Sequence, residues 1–202
     1  MIFAAGMGTR LKPLTDTMPK ALVRVGGEPL IKHVIQNLSE AGVDRIVVNV
    51  HHFAQQIIDY LTENDNFGLD IRISDESAGL LETGGGIKHA AQLFAPDAPI
   101  LIHNVDILSN VDLRRFYQRA GGLLKADVST DVSAPTSADA PDALLLVSER
   151  KTQRYLLFDD TMRLVGWTNI ATGEVKSPYP DLDPKACRMY AFAGIHLSLI
   201  HI

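Results

Sequence analysis

Met1-Ile2-Phe3-Ala4-Ala5 runs directly into Gly6-Met7-Gly8-Thr9-Arg10, and Pro19-Lys20 follows in the same loop. A short apolar run that ends in glycines reads as a β-strand opening into a phosphate cradle. Glycine has no Cβ and tolerates positive φ, so backbone N–H groups after the strand can approach an anion closely. Arg10 and Lys20 flank the turn as two cations that a fold-back of the loop can bring to one polyphosphate. The same residues also read as a plain connection, because Gly-x-Gly is a common turn. Two established nucleotide loops are excluded by spacing. The Walker loop needs G-x-x-x-x-G-K-[ST] and the dinucleotide loop needs a third glycine at a helix start. Here Gly8 is followed by Thr9-Arg10-Leu11-Lys12-Pro13.

Outward from this stretch, apolar runs alternate with amphipathic ones, the pattern of a parallel sheet covered by helices. Strands are expected near residues 2–4, 45–49, 70–74, 100–103, 143–147 and 189–196. Helical spacing occupies 30–41, 54–63, 86–94 and 113–120. Pro29 opens the first helix and Gly42 closes it, as their backbone preferences favour. Tyr155–Phe158 and Arg163–Trp167 read as a hairpin about Asp159-Asp160-Thr161. Residues 125–142, rich in Ala, Ser, Asp and Pro without an apolar period, read as a flexible loop. The whole, 1–202, reads as one α/β domain. Its last residues, Gly194-Ile195-His196-Leu197-Ser198-Leu199-Ile200-His201-Ile202, form an apolar run without a cap, so a C-terminally truncated sequence is expected.

With 46% hydrophobic and 21% charged residues, a chain of 202 residues can bury a substantial core. Its net charge of −5 argues against general binding of nucleic acid or membrane surfaces, which needs a basic face. Local cations must therefore hold any anionic ligand. The single cysteine, Cys187, allows no internal disulfide. With no signal-like N-terminus or long apolar span, this fits a cytoplasmic protein. Seven histidines raise the question of zinc. Neighbours such as His51-His52 on a strand point to opposite faces and chelate poorly.

Three segments together resemble the sugar-nucleotidyltransferases, the NDP-sugar pyrophosphorylases. The first is Ala4-Ala5-Gly6-Met7-Gly8-Thr9-Arg10-Leu11-Lys12-Pro13-Leu14-Thr15, with Pro19-Lys20-Ala21-Leu22-Val23 and Gly27-Glu28-Pro29-Leu30-Ile31. The second, Leu81-Glu82-Thr83-Gly84-Gly85-Gly86-Ile87, is similar to the base-side loop of uridylyltransferases acting on N-acetylmuramate 1-phosphate. The third, His103-Asn104-Val105-Asp106-Ile107, resembles the family's strand-end Asn-Gly-Asp. Val105 departs from the usual glycine, which a negative φ there would tolerate. Leu164-Val165-Gly166-Trp167 stands roughly where many relatives carry a Glu-Lys-Pro-type segment.

The resemblance implies a Rossmann-like, mostly parallel mixed sheet flanked by helices. It also implies a reaction in which a sugar 1-phosphate oxygen attacks the α-phosphorus of a nucleoside triphosphate, releasing pyrophosphate and leaving an NDP-sugar. Uridine triphosphate and N-acetylmuramate 1-phosphate, as in cell-wall recycling, are the implied substrates. Arg10 and Lys20 are then the catalytic cations. Ala4, Ala5, Gly6, Gly8, Thr9, Glu82, Thr83 and Gly84 contact the nucleotide, Asn104 and Gly194 the sugar phosphate, and Asp106 holds Mg²⁺. Relatives carry a second metal-binding aspartate in a C-terminal segment, which would lie beyond Ile202.

The attacking phosphate is already ionised, so the obstacle is charge. Two unit anions about 4 Å apart repel by roughly 4 kcal/mol at an effective dielectric near 20, and fixed cations must offset this. Mannose-1-phosphate guanylyltransferases and other relatives use the same loop with a different base or sugar. A non-catalytic nucleotide-sugar sensor is the alternative outside enzymes.

Overall fold

The computed structural model describes residues 1–95, 98–124 and 141–198. Two compact units divide it: Met1–Leu144 with His196–Ile202, and Leu145–Ile195. In the first unit the chain order is β1 (Ile2–Phe3), the short pair β2 (Arg24–Val25) and β3 (Glu28–Pro29), α1 (Leu30–Glu40) and β4 (Arg45–Val50). α2 (Ala54–Glu63), β5 (Asp70–Asp75), α3 (Glu82–His89), β6 (Ile100–Asn104) and α4 (Leu113–Leu124) follow. The strands lie in the order β6-β1-β4-β5 and pair in parallel, with Ile2 opposite Val48 on one side and His103 on the other. β-α-β alternation forces this arrangement, because a parallel neighbour can be reached only through a crossover.

Apolar spacing explains the packing. In α1, Leu30, Ile31, Val34, Ile35 and Leu38 are buried along one stripe, each contributing about 1.5–3 kcal/mol relative to exposure. The helix ends in a left-handed Gly42 (φ 91°). There Val43 N–H reaches Leu38 O at 3.0 Å and Gly42 N–H reaches Ser39 O at 2.9 Å, the paired bonds that satisfy terminal carbonyls. Val47, Ile100 and Ile102 form a core with Ala90, against which Phe3, Ile87 and Phe94 pack. α3 therefore covers one face of β1, β4 and β6.

The second unit is antiparallel and contains the remaining strands, β7 (Ala143–Ser148), β8 (Arg154–Phe158), β9 (Leu164–Asn169), β10 (Glu174–Lys176) and β11 (Arg188–Ser198), the first and last of which begin or end outside it. β9 pairs with β8 and β10, and β8 with β11. The expected hairpin is β8–β9, its turn fastened by Asp159 Oδ1, which accepts from Thr161 N–H at 2.9 Å and Arg163 N–H at 2.9 Å.

The structure departs from the sequence reading at α3 and at three short strands. α3 begins four residues before the expected start, so the glycine triplet lies inside it rather than ahead of it. β10 and the β2–β3 pair were not expected, since strands of two or three residues carry no readable period. Val105, in place of a glycine, is not among the residues with positive φ. The stretch 125–142 falls outside the described residues apart from 141–142, as do 199–202. Among the described residues, no helix is long and apolar enough to cross a membrane.

Candidate active site

β1 ends at Phe3, and the chain turns away over the C-terminal ends of β4 and β6, where open parallel sheets place ligands. The turn is fixed by Gly8, whose φ is 64°. Thr15 is buried and its hydroxyl donates to Gly8 O at 2.8 Å. A Cβ on Gly8 would stand 2.8 Å from Thr15 Cγ2 and 3.2 Å from Lys20 Cβ. Glycine is thus required here twice, for its φ and for the approach of the Lys20 segment.

Lys20 opens a 3₁₀ turn, Lys20–Leu22, that packs against α1. Its Nζ donates to Asp106 Oδ2, from 86 residues away. Asp106 follows β6, where Val105 N–H reaches Phe3 O at 3.1 Å and Ile107 N–H reaches Asn104 O at 3.2 Å. These bonds lock the strand end that presents the carboxylate. Lys20 and Asp106 keep 18% and 30% of their side-chain surface exposed, so the pair is open to a ligand. Arg10, exposed on the turn Thr9–Leu11, makes no ion pair among the described residues.

Two clefts meet at this pair. One, of about 300 Å³, is lined by Ala4, Ala5, Gly6, Arg10, Lys20, Asn49, Glu76, Glu82, Thr83, Asn104 and Asp106 among others. The other, of about 680 Å³, is lined by Gly6, Gly8, Thr9, Arg10, Lys20, Val25 and Leu108 with Asp106. Gly6, Arg10, Lys20 and Asp106 line both. Glu82 adopts φ 59° at the start of α3, a conformation rare for a residue with a Cβ and frequent at ligand sites. Behind the smaller cleft His103 is 1% exposed and its Nδ1 lies 2.8 Å from Asn104 O. Burial pushes its imidazole below the ordinary value.

Of the residues expected in the site, Ala4, Ala5, Gly6, Gly8, Thr9, Arg10, Lys20, Glu82, Thr83, Asn104 and Asp106 line one or both clefts. Gly84 is exposed within α3 and lines neither. Gly194, left-handed at φ 77°, belongs to the second unit. The N–H of Ala4 is taken by Asn49 Oδ1 at 2.8 Å, so Ala4 presents its carbonyl rather than a donor. Sequence reasoning missed Asn49 and Glu76, which are 3% and 2% exposed. A signal existed: Asn49 is the one polar residue in Ile46-Val47-Val48-Asn49-Val50, and polar residues are buried in a strand only with partners.

The nucleotidyl transferase family matches residues 1–137 of this chain, and the chain belongs to that family. The N-acetylmuramate α-1-phosphate uridylyltransferase of Caulobacter vibrioides is 39% identical over 163 residues, covering 80% of this chain and 61% of that protein. The protein of the same name from Neisseria meningitidis serogroup B is 43% identical over 123 residues, 61% of this chain and 53% of its own length. The chain thus spans between half and two thirds of the length of these curated relatives. The crystal structure of HddC from Yersinia pseudotuberculosis matches with a TM-score of 0.71 at 21% identity, over 99% of this chain and 76% of that one. At such identity the likeness establishes the fold, the Rossmann-like α/β type.

Proposed function

We propose that this chain carries the nucleotide-binding and reacting part of a sugar-1-phosphate nucleotidyltransferase, with uridine triphosphate and N-acetylmuramate 1-phosphate as substrates. The observation that carries the reading is the meeting of two clefts over one set of charges, Arg10, Lys20 and Asp106. A two-substrate transfer between phosphates needs such a junction. The base and ribose occupy the smaller cleft, beside Glu82 and Thr83, and the polyphosphate runs over Lys20 onto the Gly6–Gly8 turn. The likeness to the two uridylyltransferases supports the choice of base and sugar.

In this reading a sugar 1-phosphate oxygen forms a bond to the α-phosphorus while the bond to the bridging oxygen of pyrophosphate breaks. No proton must leave the nucleophile. Lys20 and Arg10 offset the charge that accumulates on the transferring phosphate, and the backbone after β1 orients it. Asn104, at the end of β6 and in the smaller cleft, contacts the sugar phosphate, and Gly194 is assigned the same partner. Asp106 suits a hard divalent cation: Lys20 engages Oδ2, and among the described residues no hydrogen bond reaches Oδ1. Among the described residues no group of three or more His, Cys, Asp or Glu could hold a metal ion; Mg²⁺ at Asp106 would take further ligands from water and phosphate oxygens. When bound, it neutralises phosphate charge.

Pyrophosphate release, measured over a panel of triphosphates and sugar 1-phosphates in Mg²⁺, tests the proposal. Release with uridine triphosphate and N-acetylmuramate 1-phosphate is expected. Tight nucleotide binding without release under any combination overturns it in favour of a sensor.

A further inference from the structure

Beneath the smaller cleft lies a buried pair that the reaction does not use. Asn49 stands one residue from the end of β4 and Glu76 directly follows β5. Asn49 Oδ1 accepts the Ala4 N–H at 2.8 Å, and Asn49 Nδ2 donates to Glu76 Oε1 at 2.8 Å. Glu76 Oε2 accepts the Leu81 N–H at 3.2 Å. The Glu76 backbone is itself fixed, its N–H reaching Val50 O at 2.8 Å and its carbonyl lying 2.7 Å from His51 Nδ1. One uninterrupted chain of hydrogen bonds therefore runs from the phosphate turn to the start of the base-side loop.

We infer that Asn49 and Glu76 are positioning residues that couple the phosphate turn to the base-side loop, and that Gly86 is glycine to make room for them. The inference rests on the nucleotidyltransferase reading for the identity of the ligand. An amide has one accepting end and one donating end, so Asn49 satisfies Ala4 only if position 76 offers an acceptor. Turning the amide over would set its NH₂ against the Ala4 N–H and its oxygen against a carboxylate. With both side chains buried, water cannot repair such a mismatch. A Cβ on Gly86 would stand 2.8 Å from Glu76 Oε1 and 3.3 Å from Asn49 Nδ2. Gly86 does not have a positive φ, so space rather than conformation demands the third glycine of the triplet.

The polarity of the chain supplies the test. In Glu76→Gln one oxygen must serve two donors: when it accepts from Leu81, its NH₂ faces the Asn49 NH₂ and the mismatch passes to Ala4, and when it accepts from Asn49 the mismatch falls on Leu81. Combined with Asn49→Asp, every bond is restored with the charge moved from 76 to 49. Calorimetric titration with inorganic tripolyphosphate, which has no base, and with uridine triphosphate reads both sides of the cleft. Glu76→Gln is expected to weaken tripolyphosphate binding about tenfold, the loss of one buried hydrogen bond, and the double variant to return within about threefold of the parent. The Ala4 or the Leu81 amide should exchange faster in the single variant and both should be protected in the double.

Unchanged tripolyphosphate binding in Glu76→Gln, or a double variant as weak as the single, overturns the coupling. If the parent binds neither probe, the functional reading fails. Amide exchange at Ala4 and Leu81 still decides the coupling: loss at either with recovery in the double variant supports it, and unchanged protection at both overturns it.

Discussion

The two ends of the parallel strands in the first unit contrast sharply. At the N-terminal ends lies a cavity of about 660 Å³ lined by Leu38, Val47, Ile100, Leu101, Leu113 and Tyr117, with Arg45 and Arg114 at its border. It is larger than the smaller cleft at the C-terminal ends, yet both of its arginines are already committed. Arg45 and Arg72 both bind Asp70, at 2.8 and 3.1 Å, and hold that carboxyl below its ordinary range. Arg114 donates to Ala41 O at 3.1 Å and Glu40 O at 3.3 Å, where its charge complements the end of α1. At the other end Lys20 and Asp106 pair while exposed to the clefts, and Arg10 makes no ion pair among the described residues. Size marks a gap in packing, whereas charge left open to a cleft marks a place for a ligand.

Lys20→Ala is expected to make the sharpest break in this contrast. If Lys20 stabilises transition-state charge, turnover falls by about 10²–10³, or roughly 3–4 kcal/mol, measured as pyrophosphate release. Unchanged kcat in the folded variant removes the functional end from the mechanism.

Buried imidazoles give the next effect. Burial lowers the value of His103 and takes His196 down to about 4. The unfolded chain takes up these protons below about 6.5, so the fold excludes protons that the unfolded state binds. Stability is therefore full above that pH and falls as pH drops toward 4, by an amount on the order of 3 kcal/mol for His196. Denaturant melts at pH 7 and 4.5 measure it, and equal midpoints refute it.

Gly8→Ala combines a left-handed φ with the 2.8 Å approach to Thr15 and should cost about 1–3 kcal/mol, read as a lower melting temperature. The smallest effect belongs to the opposite end. Tyr117 donates to Pro99 O at 3.1 Å, so Tyr117→Phe should cost about 1 kcal/mol of stability and leave kcat unchanged. A fall in kcat would show that the two ends are not independent.

Much of this organisation is legible in the chain. The strands β4, β5 and β6 and the helices α1 and α2 announce themselves by apolar period, and the glycine turn announces a close backbone approach. What pattern could not supply is any contact set by the third dimension. Lys20 and Asp106 are linked in sequence only by resemblance to a family. Asn49 and Glu76 look like an interruption in one strand and a charge after another until the sheet brings β4 and β5 side by side. The start of α3 was misjudged for a related reason: glycines disfavour helix by about 1 kcal/mol each, and at Gly86 the need for space beneath Glu76 outweighs that penalty.

The contact between Lys20 and Asp106 has an implication for ligand choice. A lone anion must compete with a carboxylate for the ammonium, and a lone cation must compete with the ammonium for the carboxylate. A ligand that brings both signs together, a polyphosphate already wrapped around a metal, would compensate both partners as it parts them. The closed pair would thus act as a filter for neutralised complexes over bare ions.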